Sequence, residues 1–546
     1  MNKMNFAIYY VGDGYSTDKK IMGRQSAGKA LMKGVARRWQ TSEIHGFGTG
    51  REKSGHAMLK QLEGDGFTGR LRWREAPGDA VLDELGAVYY PSPPTKEIAF
   101  ARNSRSTTSY SLFGVTHTLS SAGAMDQVCD LILPPFKPWD ALICTSSAAL
   151  SVVTRLQDSY RAWFAEQTGA TQFNSIALPV IPLGVDAPAF IRDDAQQSLA
   201  RKALGLAPDE VAFLFAGRMS FHGKANPVVF YQALEDACQR LGKTLVCVEA
   251  GVYPNAATAQ AFEEARRTLA PSARFIQIDG QNEGLYLQAW KAADVFVSLS
   301  DNIQETFGLT PLEAMAAGIP VLVSDWDGYK DTVRDGVDGY RVPVLLPPAG
   351  SGEDLALSHA VGQSNYDYYI GRVSMATAVN LSVLTDRVVA LAQDPELRRT
   401  LGAAGRARIE KTYDWPIILD RYADLANDLG EIRRTATPSR PSVWAARPDP
   451  FDLFADYPTS TLSGSWRVTI QPGRAKAVET FLELGVVRFA LHPTLLPRET
   501  ILEVLHAAER QSGTVDSLLG PADAGRPLRT RALMWLHKLG LVALTP

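Results

Sequence analysis

The chain has 546 residues, 45% of them apolar, with 56 Lys and Arg against 59 Asp and Glu and a formal net charge of −3. That length supports three or so globular domains with full cores. The near-neutral balance excludes a global pull toward nucleic acid or anionic lipid, so any such attraction has to be local.

The opening MNKMNFAIYYVGDG holds a short apolar run broken by Gly and Asp. It predicts a first strand and neither a secretory signal nor a membrane span. Cys129, Cys144, Cys238 and Cys247 show no CxxC spacing and sit in apolar contexts, which reads as buried thiols in a reducing compartment. The expected location is the cytoplasm. Among the first forty residues Lys3, Lys19, Lys20, Arg24, Lys29, Lys33, Arg37 and Arg38 face only Asp13 and Asp18, with Leu31, Met32, Val35 and Trp39 interleaved. Two readings stay open: an amphipathic core helix with a solvated basic face, or a face that meets anionic lipid peripherally at the inner membrane. Within this stretch GRQSAGKA (23–30) nearly spells a phosphate-binding P-loop, but Ala30 stands where a Ser or Thr would hold magnesium. An ATPase is rejected, and the segment is read as a Gly-rich turn opening the helix AGKALMKGVARRW.

Further along, short β-branched and aromatic runs alternate with helical patterns, the signature of a parallel sheet covered by helices. The runs FAIYYV, SEIHGF, LRWRE, AVYY, SLFGVTHT, ALICTS and IALPVI form a first set, closing near Pro182 to Asp186. VAFLFAG, TLVCVEAG, RFIQID, VFVSLS, VLVSD and YRVPV form a second, with NPVVFYQALEDACQRLG and TPLEAMAAG as helices between them. The expected fold class is therefore α/β, two Rossmann-like doubly wound domains over 1–186 and 187–413. A closing helix covers 414–435, a Pro-rich linker 436–460, and a small α(+β) domain 461–546. LLPPAGSGED and YDYYIGRVSMATAV interrupt the second domain as an insert of unassigned role.

Open α/β sheets bind ligands at the carboxyl edge of their strands, where helix N-termini offer free N–H groups. Arg218 and Lys224, in FAGRMSFHGKANP, lie just past such an edge. An arginine fork with a lysine beside it suits a diphosphate. Downstream, SDNIQETFGLTPLEAMAAGIPVLVSD sets Glu305 and Glu313 with seven residues between them and a helix expected to start near Thr310. Thr310, Pro311 and Glu313 fit the N-cap, first and third positions of a capping box, whereas Glu305 sits in a loop after a strand with no such structural task.

ETFGLTPLEAMAAGIPVLVSD resembles the E-x7-E signature of retaining GT-B glycosyltransferases, specifically glycosyltransferase family 4, and GRMSFHGK resembles that family's arginine and lysine loop. IPLGVD (181–186) and DGVDGYRVP (335–343) match its interdomain and late-domain segments. The resemblance implies two facing Rossmann-like domains, the first for the acceptor and the second for a nucleotide-sugar donor, with the family's first loop placing Gly23 and Ser26 near the site. It further implies that Arg218 and Lys224 bind the donor diphosphate, that Glu305 contacts sugar hydroxyls, and that Glu313 holds the ribose. The backbone N–H groups of Phe307, Gly308 and Leu309, next to Thr310, face sugar or phosphate on the same grounds. His117, ending the run GVTHT, falls where the family commonly places a histidine facing the donor sugar; a purely structural histidine remains the other reading, and His45 is a weaker rival. This chain has Gly223-Lys224-Ala225 where the family usually writes Lys-Gly, but the Arg-to-Lys spacing is kept. Asp325-Trp326-Asp327 imitates a metal-binding DxD, yet it ends a strand in a domain where cationic side chains serve the phosphate. No metal and no cofactor are expected beyond the donor itself, and the acceptor is a glycan or lipid-linked sugar hydroxyl.

The tail, RETILEVLHAAERQSGTVDSLLGPADAGRPLRTRALMWLHKLGLVAL, reads as helix, short helix, helix and strand, the order of a winged helix-turn-helix. Arg526, Arg529, Arg531 and Lys538 could face phosphates. The tail holds about as many acids as bases, so a protein partner is favoured over nucleic acid. A rival for the whole chain is a sugar-nucleotide-sensing regulator that binds without catalysing.

Overall fold

The computed structural model describes residues 3–16, 23–48, 53–75, 80–438, 444–471 and 475–546. The chain forms two compact units, Met1–Val443 and Trp444–Pro546.

The first unit is built on two six-stranded sheets. The first contains β1 (Ala7–Tyr9), β2 (Glu43–Phe47), β3 (Arg70–Arg74), β4 (Ala87–Tyr90), β5 (Ser111–Val115) and β6 (Ala141–Ile143). The second contains β7 (Ala212–Arg218), β8 (Val246–Val252), β9 (Arg274–Asp279), β10 (Val295–Ser298), β11 (Val321–Ser324) and β12 (Gly339–Val342). Their orders are β3-β2-β1-β4-β5-β6 and β9-β8-β7-β10-β11-β12, and the pairings are parallel. Each is the doubly wound Rossmann order, whose reversal point opens a crevice at the carboxyl edge. Central strands such as β10 and β11 are buried throughout, which is why they read as continuous apolar runs. The stretch IALPVI differs from expectation. It makes only isolated bridges, Ala141 to Ala177 and Cys144 to Val180, because Pro179 and Pro182 interrupt the N–H series a ladder needs.

The helix Trp415–Thr435 buries Ile418, Leu419, Tyr422, Leu425, Ala426 and Leu429 along one stripe. Tyr422 lies on the first sheet, with ring centroids 5.4 Å from Tyr89 and 6.1 Å from Phe113. The basic N-terminal segment is organised by the same packing. Leu31, Met32, Val35 and Trp39 are core residues, while Arg37 pairs with Asp186 at 2.8 Å and Asp414 at 2.5 Å, and Arg38 with Asp420 at 2.7 Å. The interleaved apolar residues therefore face inward; Lys19, Lys20 and Asp18 lie outside the described residues. GRQSAGKA is helical from Gly23 onward, so it forms no phosphate-cradling loop. Among the described residues no helix is long and apolar enough to cross a membrane.

The insert is a small antiparallel pair, Val344–Leu345 with Ala378–Val379, enclosing helices Glu353–Ala360 and Tyr366–Met375. Tyr366 reaches the first domain, its hydroxyl 2.8 Å from Ser120 Oγ and 3.2 Å from Thr118 Oγ1.

The second unit has the expected helices Arg498–Arg510, Val515–Leu519 and Arg526–Lys538 and the strand Val542–Thr545. The centre of its three-stranded sheet, however, is Arg467–Ile470, an upstream strand paired antiparallel to both Gly513–Thr514 and Val542–Thr545. Ile501, Leu505, Leu533 and Leu536 fill the space beneath. The three arginines that could face phosphates are occupied within the unit: Arg526 by Asp516 and the Gly520 carbonyl, Arg529 by Asp523 at 2.9 Å, and Arg531 by the Leu495 carbonyl at 3.0 Å.

Candidate active site

β7 ends on Arg218, and the chain turns immediately: the Ser220 carbonyl accepts from the Lys224 amide at 3.0 Å, and Ser220 Oγ from the Gly223 amide at 3.2 Å. This turn folds Lys224 back over the strand end, its Cε 3.8 Å from where a Cβ of Gly217 would stand. Both cations thus share the carboxyl edge of β7. Arg218 Nη2 donates to Gln304 Oε1 at 2.9 Å, a partner with no signal in the sequence except its place one residue before Glu305.

Lys224 Nζ and Glu305 Oε2 form a close ion pair with side chains only 17% and 16% exposed. Burial opposes the lysine's charge, yet the Glu305 carboxylate holds its pKa above the usual value. Burial likewise pushes Glu305 up, and Lys224 together with the amides of Phe307 and Thr306 more than offsets it, leaving a carboxylate below its ordinary range. The Phe307 amide, expected to face sugar or phosphate, therefore points at Glu305 here.

The second carboxylate departs from the sequence reading. The helix runs Leu309–Ala316 with Gly308, at φ 83°, as its N-cap and no side-chain cap bond. Thr310 caps nothing, its Oγ1 being buried without a partner among the described residues. Because the left-handed glycine starts the helix two residues earlier than the capping-box pattern suggests, Glu313 is free of capping. Burial lifts its pKa to about 7, with Lys224 pulling the other way.

Gly23 and His117 lie in the first domain. His117 Nε2 donates to the Pro91 carbonyl at 2.8 Å, and burial takes its pKa down to about 4 against that bond, with Arg24 adding to the fall. A neutral ring with Nδ1 as acceptor results. It lines a small cavity with Gly14, Arg24, Gly28 and Pro91; Gly23 is the exposed first residue of the adjoining helix. His45 is buried within β2, 3.7 Å from Glu43, away from any strand end. The two domains meet at the E-x7-E loop, where the Thr306 carbonyl accepts from Ser146 Oγ at 2.9 Å, and at the short helix Tyr329–Thr332, where Asp331 Oδ2 accepts from the Ser147 amide at 2.5 Å. Asp325 pairs with Arg341 at 3.1 Å. Among the described residues no group of three or more His, Cys, Asp or Glu is placed to hold a metal.

Asp301, on the same loop, is 5% exposed, and burial raises its pKa to about 7. The folded protein keeps a proton there that the unfolded chain releases near pH 4. Its contribution is thus complete below that unfolded value and lost as pH rises through about 7. Urea unfolding is expected to show stability falling from pH 5 to pH 8 by roughly 1 kcal/mol per pH unit from this group. Asp301→Asn should flatten the slope; an unchanged slope would mean the carboxyl titrates normally.

Residues 196–346 match the family described as Glycosyl transferases group 1. Among curated proteins, a D-inositol 3-phosphate glycosyltransferase of Actinosynnema mirum is 33% identical over 181 residues, 32% of this chain and 42% of that protein. A phosphatidyl-myo-inositol mannosyltransferase of Mycobacterium tuberculosis is 26% identical over 264 residues, 48% of this chain and 56% of that protein. The chain thus spans about half the length of these curated relatives. Among solved structures, sucrose-phosphate synthase of Thermosynechococcus elongatus has a TM-score of 0.47 at 17% identity, covering 78% of this chain and 99% of that chain. HepE of Anabaena in complex with UDP has a TM-score of 0.46 at 16% identity over the same shares. The segment from 196 to 346, which holds Arg218, Lys224, Glu305 and Glu313, is where this chain is similar to the glycosyl transferases of group 1.

Proposed function

We propose that the chain is a retaining glycosyltransferase that moves a hexose from a nucleoside diphosphate sugar to the hydroxyl of a glycan or lipid-linked acceptor, in the cytoplasm or at the inner face of the membrane. The observation that carries it is the meeting of Arg218, Lys224 and Glu305 at the carboxyl edge of β7, beside the N-terminus of the helix Leu309–Ala316, within the segment similar to group 1 glycosyl transferases. Two cations and a helix N-terminus suit a diphosphate. As the bond from the anomeric carbon to the phosphate oxygen breaks, negative charge grows on that oxygen, and Arg218 and Lys224 stabilise it without reorganising. The acceptor oxygen bonds the same face of the anomeric carbon and its proton passes to the departing phosphate oxygen. Glu305 orients the sugar hydroxyls and Glu313 the ribose. Because side-chain cations serve the diphosphate, the reaction needs no metal and no cofactor besides the donor.

The test is release of free nucleoside diphosphate from UDP-, GDP- and ADP-sugars with EDTA present. One donor is expected to be turned over. If all three sugar nucleotides fail to bind and none is cleaved, the reading is wrong; binding without cleavage under any acceptor would favour a sensing regulator. The internal pairing of Arg526, Arg529 and Arg531 supports a protein partner over nucleic acid for the second unit.

A further inference from the structure

The segment from Asp325 to Asp331 is laid directly on the donor loop. A Cβ on Gly328 would stand 2.5 Å from Phe307 Cα, and the Tyr329 ring covers Gly308. Inside this segment Asp327 has φ 47°, alone among the described non-glycine residues in adopting a positive φ. A side chain makes that conformation costly, and glycine would occupy it freely. Its carboxyl accepts from the Gly328 amide, while Oδ2 is sealed from solvent with no partner among the described residues. Burial raises its pKa to about 8, the Glu305 charge adds to the rise, and the Gly328 amide and Lys224 oppose it. At neutral pH the group is therefore an acid that can both donate and accept a hydrogen bond, set beside the Lys224 and Glu305 pair.

Within the fold the carboxyl gains only the neighbouring Gly328 amide, and a strained backbone and an orphaned buried oxygen remain as two separate costs at one residue. Both are accounted for if a ligand completes the site. We propose that Asp327 is a specificity-determining residue whose carboxyl recognises a hydroxyl of the hexose on the donor, next to the hydroxyls that Glu305 contacts. This rests on the nucleotide-sugar reading above. The carboxyl lies among the groups assigned to the diphosphate and sugar and so discriminates between sugars, leaving the nucleotide to Arg218 and Glu313.

Calorimetric dissociation constants of UDP, GDP and ADP, and of UDP-glucose, GDP-mannose and ADP-glucose, would be compared for wild type, Asp327→Gly and Asp327→Asn. The bare diphosphate is expected to bind all three proteins within about twofold. The ratio of diphosphate to sugar-nucleotide dissociation constants should fall roughly tenfold in Asp327→Gly and less in Asp327→Asn, which keeps a donor and an acceptor. Asp327→Gly should also melt at a higher temperature than wild type, so lost sugar recognition cannot be put down to a damaged fold. An unchanged ratio in Asp327→Gly overturns the proposal and leaves the nucleotide reading standing. A wild type that binds none of the three diphosphates overturns both.

Discussion

Removing Glu305 alone is expected to destabilise the first unit more than removing Lys224 and Glu305 together. The pair is largely buried, and taking one partner from such a pair leaves the other charged group without compensation, at about 3–5 kcal/mol. The two single variants should not be equal. In Lys224→Met the Glu305 carboxylate still accepts from the Phe307 and Thr306 amides, so the loss is at the low end. In Glu305→Ala the lysine loses its ion-pair partner and keeps the weaker pull of the Tyr329 hydroxyl against burial and the repelling Arg218 charge; the loss is at the high end, limited by deprotonation of the amine. The double variant Lys224→Met/Glu305→Ala removes both charges and should recover a good part of the deficit. Urea unfolding at neutral pH reads all three, and 0.5 M salt should change little, since buried pairs are screened weakly. Additive losses would show that water, not burial, sets the energy of this pair. Donor cleavage should fall on the order of 10²–10³-fold in either single variant and stay low in the double, separating catalysis from stability.

The parts of this site that were legible in the sequence are those whose chemistry is local. Arg218 and Lys224 follow an apolar run closely enough that one turn must bring them to the same strand end. Glu305 and Glu313 flank one helix start whatever its exact register. The register itself misled, because the pattern Thr310-Pro311-Leu312-Glu313 satisfies a capping box while the helix is started by the left-handed Gly308. What decides that is the Tyr329 ring seated on Gly308, a contact no local pattern encodes. Asp327 was visible only as half of a metal-like DxD; its positive φ and its buried, unpartnered oxygen have no signal in the sequence. Tyr366 meets Ser120 across 246 residues of chain, so its role in joining the halves had no signal. The strand Arg467–Ile470 was different, since the alternation of exposed Arg467 and Thr469 with buried Val468 is a period-2 pattern present in the sequence.

Gly308→Ala is expected to damage the donor side severely. At φ 83° the added Cβ is strained in itself, and its ideal position is 2.0 Å from Tyr329 Cε1 and 2.8 Å from Cδ1. The ring cannot swing aside cheaply: Tyr329 is fully buried, and its hydroxyl is hydrogen bonded to Ser298 Oγ at 2.8 Å. Relief must come from the backbone, which moves the loop carrying Glu305 and Phe307 and tilts the helix N-terminus away from the donor. Gly318, just past the other end of the same helix, supplies the control. It too has a positive φ, 71°, but nothing lies closer to its Cβ position than Arg406 Cδ at 4.0 Å. Gly318→Ala should therefore cost only the left-handed penalty of about 1 kcal/mol and leave donor affinity unchanged. Gly308→Ala adds overpacking of about 1–3 kcal/mol, and donor affinity should fall by at least tenfold, read by calorimetry beside the unfolding curves. Equal stability losses in the two variants would mean that the Tyr329 contact yields and that the left-handed start of this helix, rather than the close approach of the ring, is what holds the donor loop in place.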